Sequence, residues 1–228
     1  MEDKFIIDAN NVCKSFGDKK VLYHFNLRIK KGESFVILGP SGVGKSVCIK
    51  SMLGLIKVDS GSIRIIDEEI TVMNDTQLLR HNEQCSMLFQ GGALFDSMDV
   101  AENILFGLVN RQKKIDSIVT EKIARELIKA VGLNENILHS RISELSGGMQ
   151  KRVALARAIA TKPSIIFFDE PTTGLDPIMT EVINDLIVKC VHGIHATAVT
   201  ITHDIRSAIQ IADRIGMLYN GNIIWIGT

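Results

Sequence analysis

Cysteines are few in this sequence, and no two of them are close together. Cys13, Cys48, Cys85 and Cys190 are the four cysteines among 228 residues, and none of them forms a CxxC pair. Their separation excludes a zinc site built on paired cysteines and a dense disulfide framework. We therefore expect the chain to work in a reducing cytoplasm.

Long apolar runs are also missing. The amino terminus, MEDKFIIDANNV, has acidic residues and a short apolar patch, whereas a signal peptide needs a basic start and a longer apolar core. No run approaches the ~20 apolar residues that span a bilayer. The sequence predicts a chain that is soluble by itself, so any membrane role would depend on a partner.

A net charge is absent as well. The 26 basic and 26 acidic residues cancel, so no overall field favours DNA or RNA, and no nucleic-acid partner is predicted. Hydrophobic residues make up 46% and charged residues 23%, a globular balance that argues against disorder. Because we find no internal repeat and no linker rich in glycine, serine and proline, residues 1–228 are predicted to form one domain.

The chain alternates β-rich runs with stretches of helical spacing, which is typical of an α/β domain. SFVIL and SIIFF are apolar nearly throughout, as central parallel strands covered on both faces are. Residues before about 60 instead indicate short segments of an antiparallel β subdomain, and residues 75–141 look mainly helical. The clearest predicted helices cover residues 45–53, 117–131, 147–161 and 177–190.

The strongest local signal follows the strand SFVIL and precedes a predicted helix. It is a complete GxxxxGKS motif, the phosphate-binding P-loop, made of Gly39, Pro40, Ser41, Gly42, Val43, Gly44, Lys45 and Ser46. The glycines let backbone N–H groups converge on phosphate oxygens. Lys45 would neutralise the β- and γ-phosphates, and Ser46 offers a hydroxyl to Mg²⁺. The alternative is an ordinary glycine-rich turn.

A second element is the apolar strand SIIFF, which ends in the carboxylates Asp169 and Glu170. Beside a P-loop, Asp169 would hold Mg²⁺ through water, and Glu170 would orient and deprotonate the attacking water. Taken alone, paired acids at a strand end are more often a solvated terminus. The two elements together do not distinguish among kinases, GTPases and ATPases, so the class of reaction stays open.

A third motif, LSGGMQ at Leu145–Gln150, precedes the predicted helix KRVALARAIA. It resembles the signature motif of the ABC (ATP-binding cassette) ATPases, and the resemblance extends over practically the whole chain. The resemblance implies an α/β ABC ATPase fold with a mainly parallel central sheet, a small antiparallel β subdomain and a helical subdomain at about 75–160. It also implies Mg²⁺-dependent hydrolysis of ATP.

Four further residues match the family's pattern in its order. The resemblance assigns Gln90 to sensing Mg²⁺ and the attacking water, Asp176 to the D-loop, and His203 to contact with the γ-phosphate. Phe16 falls where an aromatic ring, more often a tyrosine, stacks on adenine. Simpler roles stay open for three positions: Ser146 could merely cap a helix, His203 could be a surface histidine, and Phe16 could pack in the core.

The resemblance also implies partners. In the family, the signature residues, here Ser146, Gly147 and Gly148, act on ATP held by the P-loop of a second copy, so a complete site needs two chains. The chain has one P-loop and no sustained heptad run, which disfavours translation factors and the coiled-coil repair and chromosome proteins. The remaining interpretation is that the chain is the ATPase subunit of a transporter and works with a separate membrane permease.

The segment Gln90–Asn103 narrows the resemblance further, because it looks like the ATPase subunit of Mla-type phospholipid transporters, which work with MCE-domain proteins. This implies lipid cargo, MCE-domain and small regulatory subunits as further partners, and a peripheral position on the cytoplasmic face of the inner (plasma) membrane. Residues 91–103 are predicted to dock a permease helix, unless Leu94 and Phe95 simply pack the helical subdomain. Other cargo, such as an amino acid, a metal or a drug, stays open, as does a non-transport ABC ATPase.

Overall fold

The computed structural model describes residues 4–111 and 116–228. Within them the strands are β1 Phe5–Phe16, β2 Lys19–Lys30, β3 Ser34–Leu38, β4 Ser60–Ile65, β5 Glu68–Glu69, β6 Cys85–Leu88, β7 Ile165–Asp169, β8 Thr197–Thr202, β9 Arg214–Tyr219 and β10 Asn222–Gly227. The α-helices are α1 Lys45–Met52, α2 Asp75–Asn82, α3 Val100–Arg111, α4 Ser117–Ala130, α5 Gly147–Ala160, α6 Pro177–Gly193 and α7 Ile205–Ile211.

Six strands form the main sheet, in the order β10-β9-β3-β8-β7-β6. Neighbouring strands from β9 to β6 pair in parallel, and β10 adds an antiparallel edge. Parallel pairs need crossover connections, and the helices between the strands supply them. Together with a second, antiparallel sheet of order β2-β1-β4-β5, this confirms the predicted α/β class with a mainly parallel central sheet.

The two larger hydrophobic cores share the residues of the buried strand β7. Alternate residues of β7 divide between them: Ile166 and Phe168 pack with α3, α5 and α6, whereas Ile165 and Phe167 pack with β1, β2 and α1. This division follows from the two-residue period of a strand, whose successive side chains point to opposite faces. Burial on both faces is the reason that SIIFF is apolar throughout.

The antiparallel sheet is more extensive than its sequence indicates. β1 and β2 are each 12 residues long, so the prediction of short segments is wrong for this hairpin. Register shifts between Ala9 and Val12 and between Val12 and Lys14 interrupt the alternation of side chains, which makes one long strand look like several short ones. The neighbouring Gly61 has φ of 92°, and a Cβ there would lie 2.4 Å from the carbonyl oxygen of Asn11.

The four predicted helices correspond to α1, α4, α5 and α6. The range 75–160 contains α2 to α5 and, between α2 and α3, the strand β6 of the main sheet. Residues of α3, α4 and α5 belong to one hydrophobic core. In the described parts of the chain, no helix combines the length and hydrophobicity that a membrane crossing needs. The carboxyl ends of β3, β7 and β8 meet at one edge of the sheet, where α/β proteins bind their ligands.

Candidate active site

The loop between β3 and α1 turns sharply and passes close to other strands. Gly44 precedes α1 with φ of 108°, and a Cβ there would lie 2.8 Å from Cγ1 of Val21. At Gly39 a Cβ would lie 2.8 Å from the carbonyl oxygen of Leu218. Glycine is therefore required at both positions. The loop leads into the amino end of α1, and such a helix end favours a bound anion.

Lys45 is the first residue of α1, and its side chain turns back into this loop. It is buried, and Nζ donates to the carbonyl oxygens of Gly39 at 2.8 Å and Pro40 at 3.0 Å. Nζ also lies 3.2 Å from Oε1 of Glu170 at the end of β7. The ammonium is thus placed in the loop and balanced by the carboxylate.

Ser46 and Asp169 place two oxygen atoms side by side. The Ser46 hydroxyl donates to Asp169 Oδ1 at 3.2 Å. Burial raises the pKa of Asp169, and the Ser46 hydrogen bond opposes that shift. A hydroxyl beside a buried carboxylate fits Mg²⁺, which prefers oxygen ligands shared among protein, water and phosphates. Across residues 4–111 and 116–228 there is no cluster of three or more His, Cys, Asp or Glu side chains that could hold a metal by themselves.

Glu170 has a strained backbone and several side-chain partners. Its φ is 48°, which is unusual for a residue other than glycine. Oε2 lies 2.7 Å from Nδ1 of His203, and it accepts a hydrogen bond from Oγ1 of Thr173 at 3.2 Å. Thr173 was not among the predicted site residues, although its position three residues after Glu170 is a signal for such a contact.

These groups open into one cleft of about 610 Å³. Phe16 and Lys19 of the β1–β2 hairpin line it, together with residues of the P-loop and with Gln90, Glu170 and His203. Phe16 is 50% exposed, so the alternative that it packs in the core is wrong. Its ring lies 5.3 Å from the ammonium of Lys14. The contribution of Lys19 to the cleft was not predicted.

The signature residues are not part of this cleft. Ser146 caps α5, and its Oγ accepts a hydrogen bond from the amide of Met149 at 3.4 Å, so the capping role left open for it is present. Gly147 is exposed and Gly148 is half-buried. Asp176 is also outside the cleft, where it caps α6. The structure therefore gathers the P-loop, Gln90, Glu170 and His203, but leaves the signature and the D-loop elsewhere on the surface.

The segment after Gln90 is held by α5. Lys151 Nζ contacts the carbonyl oxygen of Gln90, and Arg157 donates to the carbonyl oxygens of Gly92 at 2.6 Å and Ala93 at 2.8 Å. Burial lowers the pKa of both the Lys151 and the Arg157 side chain. No sequence signal identified these two residues, because the contacts join elements that are distant in the chain.

Asn103 fixes the rest of this segment from the first turn of α3. It is fully buried, and its side chain bonds to the amide and the carbonyl of Phe95 at 2.8 and 3.0 Å. Leu94 packs against the core of α3, α4 and α5, whereas Phe95 stays 39% exposed against the ring of Phe106. Leu94 therefore packs the helical subdomain, as the alternative prediction states, whereas Phe95 is only partly packed.

A comparison with known protein families gives a match that includes most of these site residues. A model of the family described as "ABC transporter" matches residues 22–173, which include the P-loop, the signature and Glu170. The chain belongs to the ABC transporter family. By family and by fold it is an ABC ATPase cassette.

Relatives of this cassette have varied names. It is 39% identical over 97% of its length to a "Probable ribonucleotide transport ATP-binding protein mkl" of Mycobacterium tuberculosis, and it spans 61% of that protein. It is 37% identical over 97% of its length to "TRIGALACTOSYLDIACYLGLYCEROL 3, chloroplastic" of Arabidopsis thaliana, of which it spans 68%. It is 39% identical over 93% of its length to the methionine import ATP-binding protein MetN of Clostridium tetani, of which it spans 66%.

A solved cassette has nearly the same fold. The ATP-binding cassette MJ0796, in a dimeric post-hydrolysis state bound to ADP and Pi, superposes with a TM-score of 0.89. The two sequences are 32% identical, and the match covers 97% of this chain and 98% of MJ0796.

Proposed function

We propose that this chain is the ATP-hydrolysing subunit of a transporter and that it drives phospholipid movement through a separate membrane permease. The observation that carries the ATPase role is the convergence of Lys45, Ser46, Asp169, Glu170 and His203 at one edge of the sheet. Their chemistry matches the needs of phosphoryl transfer, which relies on positioning and charge stabilisation.

Binding of ATP would use the P-loop amides and Lys45 for the phosphates and Phe16 for the adenine. Ser46, Asp169 and Gln90 would hold Mg²⁺, which when bound neutralises charge on the β- and γ-phosphates. Lys45 lies 3.2 Å from Glu170 in this structure, so ATP phosphates would compete with that carboxylate for the ammonium. Drawing Lys45 toward the phosphates would leave Glu170 free to accept a proton.

Hydrolysis would then depend on Glu170 as the general base. Its second oxygen is held by His203 and Thr173, which aim the carboxylate and leave Oε1 for the attacking water. His203 would contact the γ-phosphate, and Gln90, two residues after β6, would report the phosphate's presence to the segment that follows it. Loss of the γ-phosphate contacts would release that segment.

A second copy of the chain would complete the site. Ser146, Gly147, Gly148 and Asp176 lie outside the cleft that holds the P-loop, so they would act on a site of the facing chain. The dimeric state of MJ0796 with ADP and Pi supports this arrangement. We therefore infer that two chains close head to tail around two ATP molecules.

The permease would dock on residues 91–103 and the adjoining face of α3. The exposed ring of Phe95 packs at a tilt of 45° against Phe106, and a groove of about 490 Å³ is lined by Phe106 and Val109 of α3 and by Met98 just before it. An exposed apolar groove beside a nucleotide-sensing segment suits an amphipathic partner helix. Docking there would keep the cassette peripheral on the cytoplasmic face of the inner membrane, with MCE-domain and small regulatory subunits as further members of the complex.

Phospholipid cargo is supported by the resemblance of Gln90–Asn103 to Mla-type cassettes. The name of the Arabidopsis relative is that of a galactolipid, which agrees with lipid cargo. The similarity to MetN, whose name states methionine import, supports an amino acid as the second candidate. The cassette does not touch the cargo, so phospholipid and amino-acid cargo can be distinguished only with the assembled transporter complex.

The test uses the complex purified through this chain from its native cell. Reconstituted into vesicles, it should move a labelled phospholipid to acceptor vesicles only with Mg²⁺ and ATP. The complex carrying Glu170→Gln is the control for ATP-independent exchange. ATPase activity that responds to L-methionine, with no phospholipid movement, would show that the lipid assignment is wrong.

A further inference from the structure

Buried polar side chains join α6 to α7. Asn184 of α6 is 1% exposed and Ser207 of α7 is 2% exposed. The Nδ2 group of Asn184 donates to Ser207 Oγ and to Gln210 Oε1, each at 2.9 Å. Gln210 Nε2 in turn donates to Asp185 Oδ1 at 2.7 Å. The two hydrogen bonds that the buried Nδ2 group of Asn184 donates favour one relative placement of the two helices.

One end of this chain of hydrogen bonds reaches the catalytic cleft. Ser207 Oγ donates to Asp204 Oδ2 at 2.6 Å, and Asp204 caps α7 by accepting from the amide of Arg206 at 3.1 Å. The hydrogen bond from Ser207 lowers the pKa of Asp204, which keeps the cap ionised. Asp204 directly follows His203, whose Nδ1 lies 2.7 Å from Glu170 Oε2.

The other end reaches the D-loop through α6. Asp176 caps this helix, accepting from the amide of Met179 at 2.9 Å, and Asn184 lies about two turns further along. A cavity of about 590 Å³ lies between the starts of α6 and α7, and Asn184 and Ser207 form part of its wall. Space therefore separates the two helix starts, and the helices are joined by these hydrogen bonds and, further along, by the packing of Val188 against Ala208 and Ile211.

The polar link has a cost for stability. Asn184 Oδ1 is buried and has no hydrogen-bond partner among the described residues. An unpaired buried amide oxygen destabilises a fold, whereas leucine would fill a similar volume without that penalty. Replacing both partners of a buried hydrogen bond by apolar groups of the same shape can be nearly neutral or stabilising, so the amide points to a role in placement.

We propose that Asn184 is a positioning residue for ATP hydrolysis. Through Ser207 and Asp204 it fixes His203 beside Glu170, and through α6 it ties that position to the D-loop. The inference rests on the proposed function, in which Asp176 lies against the second chain. The placement of His203 then depends on whether the D-loop is engaged.

The kinetic test compares Asn184→Leu and Ser207→Ala with Ile183→Val. Ile183 is a buried neighbour on α6 that makes none of these hydrogen bonds, so its variant controls for lost stability. In the assembled complex, we expect Asn184→Leu to lower kcat about tenfold with KM for ATP unchanged, because a transition-state contact is weakened. In a His203→Ala background, Asn184→Leu should have no further effect.

A second measurement does not depend on hydrolysis. The imidazole ¹⁵N resonances of His203, assigned with His203→Ala, should shift in Asn184→Leu and in Ser207→Ala but not in Ile183→Val. Unshifted resonances in both polar variants, or a kcat within about twofold of the parent, would overturn the inference. An inactive parent with shifted resonances would instead contradict the proposed ATPase function and leave the positioning role supported.

Discussion

At the scale of single residues, Glu170 has a constrained environment. Its left-handed backbone, with φ of 48°, costs about 1–3 kcal/mol and persists only where the surroundings hold it. Lys45, Thr173 and His203 all contact its carboxylate. Strain of this kind is concentrated at functional sites, where it aims a side chain that a relaxed backbone would direct elsewhere.

The role of Glu170 can be separated from nucleotide binding. Glu170→Gln keeps the size and the hydrogen-bonding capacity of the side chain but removes its basicity. We expect kcat to fall by about 10²- to 10⁴-fold in the assembled complex, with ATP affinity retained. Lys45→Ala should weaken both quantities, because its ammonium would contact the phosphates. Steady-state hydrolysis and nucleotide titration measure them, and near-parent hydrolysis by Glu170→Gln would exclude Glu170 as the base.

Phe16 offers a second test at this scale. Its half-exposed ring forms a wall of the cleft, where it can stack on adenine. Phe16→Ala should raise the Kd for ATP about tenfold, within the range of base–aromatic stacking energies. Phe16→Tyr keeps the ring and should bind as the parent does. Equal affinity of all three proteins, measured by calorimetry, would show that the ring does not contact the base.

Site residues that belong to one local motif could be predicted from the sequence. The P-loop, Asp169 and Glu170 are predicted together with their strands, because the chemistry and the strand-to-loop context lie in one short segment. Lys151 and Arg157 were missed because their contacts join α5 to a segment distant in the chain. The sequence of a helix such as KRVALARAIA does not indicate which loop its basic residues will contact.

At the scale of elements, α5 links the signature to the segment after Gln90. Ser146 caps its amino end, and Arg157, near its carboxyl end, holds the carbonyl oxygens of Gly92 and Ala93. A helix transmits displacement along its length, so a permease docked on residues 91–103 would shift the signature serine.

The β1–β2 hairpin is an element whose length could not be predicted from the sequence. Its register shifts interrupt the alternation of apolar and polar residues, so each long strand looks like several short ones.

The docking surface is tested by a change that leaves the backbone in place. Asn103 holds the amide and the carbonyl of Phe95, so Phe95→Ala removes the exposed ring alone. We expect it to release the permease in a pull-down and abolish transport, with nucleotide binding unchanged. Val72→Ala removes an apolar side chain that is 80% exposed on another element and should have no effect.

Leu94→Asp provides a contrasting outcome. Leu94 is half-buried against the core of α3, α4 and α5, so a carboxylate that is partly removed from water there should lower the melting temperature before it affects docking. If Phe95→Ala lowers the melting temperature as Leu94→Asp does and still binds the permease, then residues 91–103 are packing elements and the docking proposal is wrong.

At the scale of the whole molecule, the residues that we propose for one ATP site lie in two separate places. The P-loop and Glu170 lie in one cleft, and Ser146 and Asp176 lie outside it. A closed dimer should be most stable when ATP is bound and not hydrolysed. We expect Glu170→Gln with ATP to sediment as a dimer at high concentration and the ADP-bound chain to be mostly monomeric.

A mixture of two inactive variants tests whether the sites are shared. In a mixed dimer of Ser146→Arg and Lys45→Ala chains, head-to-tail sharing places both defects in one site and leaves the other intact. Activity should reappear on mixing, up to about a quarter of the parent rate, since half of the dimers are mixed and each has one working site. Lys45→Ala mixed with Glu170→Gln is the control, because both residues serve the cleft of their own chain and neither mixed site is complete. No activity in the first mixture, while mass measurements show mixed dimers, would mean that Ser146 does not act on the partner's ATP. Activity in the control mixture would instead mean that Lys45 and Glu170 do not serve the same site.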